Sequence, residues 1–248
     1  MKPTIIYEDE SYERAFEAGE LTEAGAVTLA GDGGRLTSVT TLRCAEGAVR
    51  EYLARFADDP FSPGATAFLD EALAPLFSRF GYERDPDSPY TTVAFAAADP
   101  PNAGDLSNAA GTPKAAGTPA ESMKPLPEGV SLVECGEGEG ERYDFSLIEG
   151  GADDGDCVLA VRGHTVLCAA GINDLRRDGY SEIYVECAES VRCLGLGSAC
   201  AARLCARLLA SGQGVRYETT GDNAASLALA RSLGMREVER IVSFSALR

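Results

Sequence analysis

Apolar and polar residues alternate in several short runs of the C-terminal half, and this period of two is typical of half-buried strands. Two longer runs have the spacing of an amphipathic helix, and a glycine follows each of them. The predicted strands are 130–133, 157–162, 165–170, 182–187, 215–219 and one or two within 238–246; the predicted helices are 198–210 and 224–233, and 145–148 is a further candidate element. This order predicts an α/β fold with a mixed central sheet flanked by helices.

The N-terminal residues 1–98 predict a smaller α/β domain whose role the sequence does not indicate. Residues 26–30 and 36–42 surround a glycine-rich turn and predict a hairpin, and 90–97 predicts a buried strand. Two amphipathic helices are predicted between them, and Pro75 should kink the second or mark a later start for it. No motif with a known chemistry occurs in this half.

The segment 99–128 is dominated by proline, glycine and alanine, and an Ala-Ala-Gly-Thr-Pro sequence occurs at 109–113 and again at 115–119. Few of its residues could join a hydrophobic core, so we expect an extended and flexible linker. The predicted organisation is a domain at 1–98, a linker at 99–128 and a second domain at 129–248. Both domains have an ordinary size.

The chain has 248 residues, of which 45% are hydrophobic, and a formal net charge of −17. Because an acidic surface repels phosphate backbones and anionic lipids, we expect neither nucleic acid nor a membrane as a partner. No apolar run approaches the ~20 residues that span a bilayer, and Met1–Thr4 starts no secretory signal, so we expect a cytoplasmic protein. The negative charge either confers only solubility or attracts a cationic amine.

Cysteine usage predicts neither a metal site nor a disulfide framework. No Cys-x-x-Cys pair occurs and His164 is the only histidine, so the ligand spacing of a zinc site is absent. We expect reduced cysteines that serve as small hydrophobic residues, and no catalytic thiol, because no histidine is placed to activate one. The eight cysteines are Cys44, Cys135, Cys157, Cys168, Cys187, Cys193, Cys200 and Cys205.

A glycine-rich turn of the form Arg192-x-x-Gly195-x-Gly197 follows the strand at 182–187 and opens the next helix. Backbone N–H groups at a helix start have no partner within the helix and lie at the positive end of its dipole, so they favour anions. Glycines let the main chain approach a phosphate closely and adopt unusual φ and ψ values. The turn therefore predicts a site for a cofactor that carries a pyrophosphate.

A second motif follows this turn: a helix that begins after Asn223, contains Ser226 and ends in Leu233-Gly234-Met235. Together the two motifs resemble the GNAT superfamily of acetyl-CoA-dependent N-acetyltransferases, and most of all its standalone bacterial members with a separate N-terminal domain. The resemblance covers roughly residues 130–248. It implies a GNAT-type mixed sheet and acetyl-CoA as co-substrate, without a metal. The cofactor-binding residues that it implies are Val185, Cys187, Arg192, Cys193, Leu194, Gly195, Leu196, Gly197, Ser198, Asn223 and Ser226.

The resemblance also implies direct attack of an amine on the acetyl carbon, with a base that takes a proton from the ammonium group. Glu182 and Glu186 share one face of a strand with Tyr184, and Glu186 is the preferred base because it is nearer the turn. The alternative is that both carboxylates are ordinary solvated residues on the face of a strand. Many members of the superfamily have a tyrosine as general acid where this chain has Ala230, so Tyr217, Tyr184 or water would have to protonate the thiolate.

The function expected from these features is N-acetylation of a primary amine on a small molecule, such as an antibiotic or a polyamine. Acetylation of a protein N-terminus or lysine is an alternative, because an acidic cleft would suit a basic peptide equally well. A non-catalytic acyl-CoA-binding module is another, since Ala230 replaces the usual acid. We expect a monomer or a homodimer.

Overall fold

The computed structural model describes residues 2–32, 34–97, 125–136, 138–148, 156–177 and 180–248, with the backbone alone at 174–177. By its contacts the chain divides into two compact units, neither of which is continuous in sequence. The first unit comprises Met1–Ala94, Thr219–Asn223 and Glu237–Arg248, and the second comprises Phe95–Glu218 and Ala224–Arg236. Most of the predicted linker, 99–124, lies outside the described residues.

The helices and strands of the described residues have the following bounds. The strands are β1 Thr4–Tyr7, β2 Glu23–Asp32, β3 Arg35–Thr41, β4 Glu83–Arg84, β5 Tyr90–Ala96, β6 Ser131–Cys135, β7 Cys157–Arg162, β8 Thr165–Arg177, β9 Tyr180–Cys187, β10 Gly214–Thr220 and β11 Arg236–Leu247. The helices are α1 Glu10–Glu17, α2 Glu46–Arg55, α3 Pro63–Arg79, α4 Leu196–Ala210 and α5 Ala224–Ser232. No helix in the described part of the chain is long and apolar enough to span a membrane.

The first unit is built on the predicted hairpin of β2 and β3, in which Val27 lies opposite Thr41. β1 joins β3 in parallel, and β11 joins β2 in the antiparallel direction. The sequence groups β11 with residues 129–248, whereas its contacts place nearly all of it in the first unit, because its backbone partners on β2 are there. β1 and α1 are short elements that the sequence analysis did not predict.

The hydrophobic core of the first unit lies between this sheet and its helices. Phe16 of α1 is fully buried, and its ring stacks on that of Tyr82 with 5.0 Å between the centroids. α3 starts at Pro63, with the Ser62 hydroxyl accepting a hydrogen bond from the N–H of Ala65, and continues through Pro75. A later start of this helix at Pro75 is therefore wrong, because Ser62 and Pro63 already form a favourable helix N-terminus.

The second unit contains a sheet of order β6-β7-β8-β9-β10, and the predicted mixed α/β fold is confirmed. Neighbouring strands from β6 to β9 are antiparallel, while β10 joins β9 in parallel. α4 packs against β7, β8 and β9, and α5 contacts α4. This arrangement holds the start of α4 against the end of β9.

Three local predictions for the second unit need correction. The strand predicted at 165–170 is longer, because β8 continues to Arg177. Residues 145–148 form a turn and not a strand, with the N–H of Ile148 donating to the carbonyl of Phe145. α4 begins at Leu196, two residues before the predicted start at Ser198. The earlier start follows from Gly195, whose left-handed conformation provides the N-terminal cap inside the motif itself.

Candidate active site

The glycine turn connects β9 to α4 through residues whose backbone conformations are uncommon. Cys193 has a φ of +66° and Gly195 a φ of +86°, both in the left-handed region. Left-handed residues inside a turn change the direction of successive N–H groups, and turns of this kind form concavities suited to an anion. Cys193 adopts this conformation although it has a Cβ atom, at a cost of about 1–2 kcal/mol. Among the described residues, Cys193 is the one non-glycine residue with a positive φ, and it lies in the turn that the motif identifies.

The N–H groups of Gly195, Leu196, Gly197 and Ser198 form the candidate phosphate site. The first hydrogen bond of α4 runs from the N–H of Ala199 to the carbonyl of Gly195, at 3.0 Å. Within the part of the chain that the structure describes, no side chain caps this helix start, and its first turn carries no acidic residue. Among the described residues these four N–H groups have no acceptor, and they lie at the positive end of the helix dipole.

Two residues of the predicted set have their N–H groups engaged within the turn. The N–H of Leu194 donates to the carbonyl of Val191, and that of Arg192 to the carbonyl of Glu189, both at 3.3 Å. The Arg192 side chain is mostly exposed and lies 3.7 Å from the Glu189 carboxylate. An exposed pair of this kind contributes little, so Arg192 stays available to an anionic ligand.

Gly197 is the position at which α4 packs closely on β9 and leaves little space for a side chain. A Cβ atom placed there would lie 3.3 Å from the Sγ of Cys187 and 3.3 Å from Cγ1 of Val185. These distances are tighter than ordinary van der Waals contact, so the missing side chain lets the helix start lie directly on the strand. The contact also shows that Val185 and Cys187 face α4.

The edge of β9 beside β10 becomes free near the turn. The β9–β10 ladder runs from the pair Tyr180–Gly214 to the pair Ile183–Tyr217, whereas β9 continues to Cys187. On the other side of β9, the N–H of Ala188 donates to the carbonyl of Leu167 at 2.9 Å. The adjacent pair, Cys187 and Cys168, is therefore a non-hydrogen-bonded pair of β9 and β8.

The backbone groups of Val185 and Cys187 therefore point away from β8, toward the side of β10. Both residues lie beyond the last β9–β10 pair, so their N–H and carbonyl groups form an open strand edge in the second unit. The sequence analysis named both residues as cofactor-binding. Their position beside the four N–H groups of the turn is the geometry that this assignment requires.

The opposite face of β9 carries the candidate bases, because side chains alternate along a strand. Glu182, Tyr184 and Glu186 are all half-buried there. The Asn173 amide donates a hydrogen bond to Oε1 of Glu182 at 3.1 Å. The Tyr184 ring lies across Gly171 of β8, where a Cβ atom would be only 2.5 Å from ring atoms. Asn173 and Gly171 were missed by the sequence analysis, although a glycine inside a strand signals such a close approach.

Tyr217 lies on the α4 face, because it pairs with Ile183 at the last position of the β9–β10 ladder. Its side chain is 5% exposed and its hydroxyl is hydrogen-bonded to the Ser226 side chain on α5. Burial raises the pKa of the Tyr217 phenol above its ordinary value of 10.0, and the bond with Ser226 offsets part of the rise. Ser226, which the sequence analysis predicts as a cofactor contact, thus forms a hydrogen bond with Tyr217, which it predicts as a catalytic residue.

Asn223 belongs to the first unit, where its N–H donates to the carbonyl of Thr220 at 3.2 Å. It lies directly before α5, as predicted for the start of that helix.

The expectation that all cysteines are reduced is wrong for one pair. Cys168 and Cys187 lie opposite each other on β8 and β9 and form a disulfide. Their Cα atoms are 4.0 Å apart, because side chains of a non-hydrogen-bonded pair are the closest across an antiparallel ladder. Spacing along the sequence does not reveal this pairing, which depends on strand register.

No protein-family model matches the sequence, and no curated protein matches it. Several solved structures that resemble the chain are described as GNAT-family or GCN5-related proteins. A GCN5-related N-acetyltransferase-like protein from Streptococcus suis is 20% identical over 74% of this chain and 69% of its own, with a TM-score of 0.45. A tandem GNAT protein from the clavulanic acid biosynthesis pathway is 17% identical over 90% of this chain and 78% of its own, with a TM-score of 0.44.

A third structure, an acetyltransferase of the GNAT family from Novosphingobium aromaticivorans, is 16% identical over 67% of this chain and 72% of its own, with a TM-score of 0.42. These values describe a loose similarity in fold. The assignment below rests on the geometry of the turn and of the strand edge.

Proposed function

We propose that the second unit binds acetyl-CoA and transfers its acetyl group to a primary amine. One observation carries this proposal: the unpartnered N–H groups of 195–198 adjoin the open edge of β9 at Val185 and Cys187. A diphosphate suits the first feature, and an extended chain with amide groups suits the second. Acetyl-CoA combines both, and its thioester supplies an activated acetyl group.

The turn and the strand edge have distinct roles in this proposal. The N–H groups of 195–198 hold the diphosphate, with Arg192 adding a positive charge at the surface. The backbone of Val185 binds the pantetheine amides as an added strand would. The N–H of Cys187 polarises the thioester oxygen and stabilises the negative charge that develops there during attack. Positioning of the two reactants supplies much of the acceleration, and the enzyme forms no covalent bond to the acetyl group.

Glu186 is the proposed base, with Glu182 as the second candidate. An amine with a pKa of ~10.4 is protonated at neutral pH and has to lose a proton before it attacks. Glu186 lies one residue before Cys187, so its carboxylate is on the β9 face opposite α4 and close to the proposed thioester position. Glu182 lies nearer the start of β9 and farther from the turn, and its carboxylate accepts a hydrogen bond from the Asn173 amide.

The acceptor is proposed to be a small-molecule amine, and the net charge of −17 supports a cationic acceptor of either kind, small molecule or basic peptide. A non-catalytic acyl-CoA-binding module is the second candidate, which Ala230 favours because this residue offers no proton to the leaving thiolate. The proposed setting is the cytoplasm, where acetyl-CoA is available.

Thiol release from acetyl-CoA in the presence of a panel of polyamines, amino-sugar antibiotics and lysine peptides tests the proposal. We expect binding of acetyl-CoA by calorimetry and amine-dependent thiol release with at least one class. Glu186→Gln should lower kcat about 10²-fold or more with little change in acetyl-CoA affinity, whereas the matched change Glu189→Gln, at an exposed position, should not.

The outcomes separate the candidates. Binding without turnover across the panel favours the regulatory module, and turnover with peptides alone favours the peptide acetyltransferase. Absence of any acetyl-CoA binding at millimolar protein contradicts the proposed site itself.

A further inference from the structure

We propose that Tyr217 is the proton donor to the departing thiolate and that Ser226 positions its hydroxyl, so that β10 supplies the acid for which α5 has only Ala230. This inference rests on the proposed acetyl transfer and adds to it the group that completes the reaction.

The position of Tyr217 in the sheet is the first argument. It pairs with Ile183 at the point where the β9–β10 ladder ends, and Val185 and Cys187 extend beyond that point. The proposed thioester lies along this open edge. The side chains of Tyr217 and Ile183 lie on one face of the sheet. The side chains of Val185 and Cys187 lie on the same face, which is the one covered by α4.

The two catalytic groups then lie on opposite faces of β9. Glu186 is on the face from which the amine would approach, and Tyr217 is on the face that carries α4. A carbonyl carbon held in the gap between the strands can be attacked from one face while its C–S bond breaks toward the other. This division matches what a base and an acid have to do in one reaction.

The surroundings of Tyr217 are the second argument. Its hydroxyl is bonded to Ser226, and Ala230 lies four residues later on the same face of α5, fully buried. Burial raises the pKa of the Tyr217 phenol, so this group keeps its proton at neutral pH. Tyr184 is excluded as the donor, because its ring lies across Gly171 on the other face.

The proton balance of the step is closed. As the C–S bond breaks, its electron pair stays on the sulfur and the phenol transfers its proton there, which yields the free thiol and a phenolate. The amine nitrogen loses a proton when the amide forms, and that proton returns to the phenolate through solvent. No oxidant, reductant or further co-reactant takes part.

Steady-state kinetics of Tyr217→Phe and Ser226→Ala test the inference, with Tyr143→Phe as the matched removal of a hydroxyl elsewhere in the second unit. We expect Tyr217→Phe to lower kcat about 10²-fold, in the range typical of general acids, with the acetyl-CoA Kd within twofold of the unchanged protein. Tyr143→Phe should leave both values within twofold.

The pH profile separates positioning from a structural role. Because the Ser226 bond lowers the pKa of Tyr217, Ser226→Ala should move the basic limb of kcat to higher pH, and Ser226→Thr should restore it. Unchanged kcat in Tyr217→Phe, or an unmoved basic limb in Ser226→Ala, overturns the inference while the proposed function stands. Absence of amine-dependent thiol release from the unchanged protein overturns both.

Discussion

A negative charge placed at Ser198 should change the stability of the fold and the binding of the cofactor in opposite directions. Ser198 is the third residue of the helix and is half-buried, and no acidic residue lies in this first turn. A carboxylate at this position interacts favourably with the helix dipole, by about 0.3–1 kcal/mol. The same carboxylate would stand beside the N–H groups that we propose to hold a diphosphate. Ser198→Glu should therefore stabilise the fold and weaken cofactor binding.

The size of the loss follows from Coulomb's law. Two unit charges about 5 Å apart repel each other by roughly 0.8 kcal/mol at the dielectric constant of water and roughly 3.3 kcal/mol at an effective value of about 20. A surface cleft lies between these limits, so we expect a loss of about 1–3 kcal/mol. This corresponds to a Kd for coenzyme A that is about 5- to 150-fold higher.

Isothermal titration calorimetry of Ser198→Glu against Ser198→Gln measures the effect of the charge at nearly constant size. Ala206→Glu adds the same charge at an exposed position farther along α4, and it should change the Kd less than twofold. Raising the salt concentration to 1 M shortens the Debye length to about 3 Å and should narrow the difference between the Glu and Gln variants. Equal Kd values for these two variants at low salt would refute the assignment of the phosphate site.

Two further predictions concern stability. The Cys168–Cys187 disulfide joins residues 19 positions apart, and its reduction should lower the free energy of unfolding by about 3 kcal/mol in urea titrations. A Cys168→Ser, Cys187→Ser double variant should not respond to reductant. An unchanged urea midpoint in the reduced parent protein would contradict the expectation. Burial raises the pKa of the Asp70 carboxyl above 3.8, more than Arg84 lowers it. The folded state therefore binds this proton more tightly than the unfolded state does. The free energy of unfolding of the parent protein, relative to that of Asp70→Asn, should rise as the pH falls through the raised pKa toward 3.8. Paired urea titrations measure this difference, and the opposite slope would show the reasoning to be wrong.

Local sequence patterns predicted the elements of the second unit with small errors. Short apolar runs placed β6 and β7, alternation placed β9, and the glycine motif located the turn before α4. These features are local, because the period of two reflects which face of one strand is buried, and the need for glycine reflects the steric limits of one residue. Short elements such as β1 and α1 carry too few residues for a period to be recognised, and they were missed.

The sequence by itself determined which residues form the glycine turn, which strand precedes it and which carboxylates share a strand face. Only the tertiary structure decided that the β9–β10 ladder ends at Ile183, that Tyr217 meets Ser226 and that Cys168 lies opposite Cys187. It also decided that β11 pairs with β2 of the first unit. All of these depend on strand register, which is set by contacts between residues distant in sequence, and no local pattern contains that information.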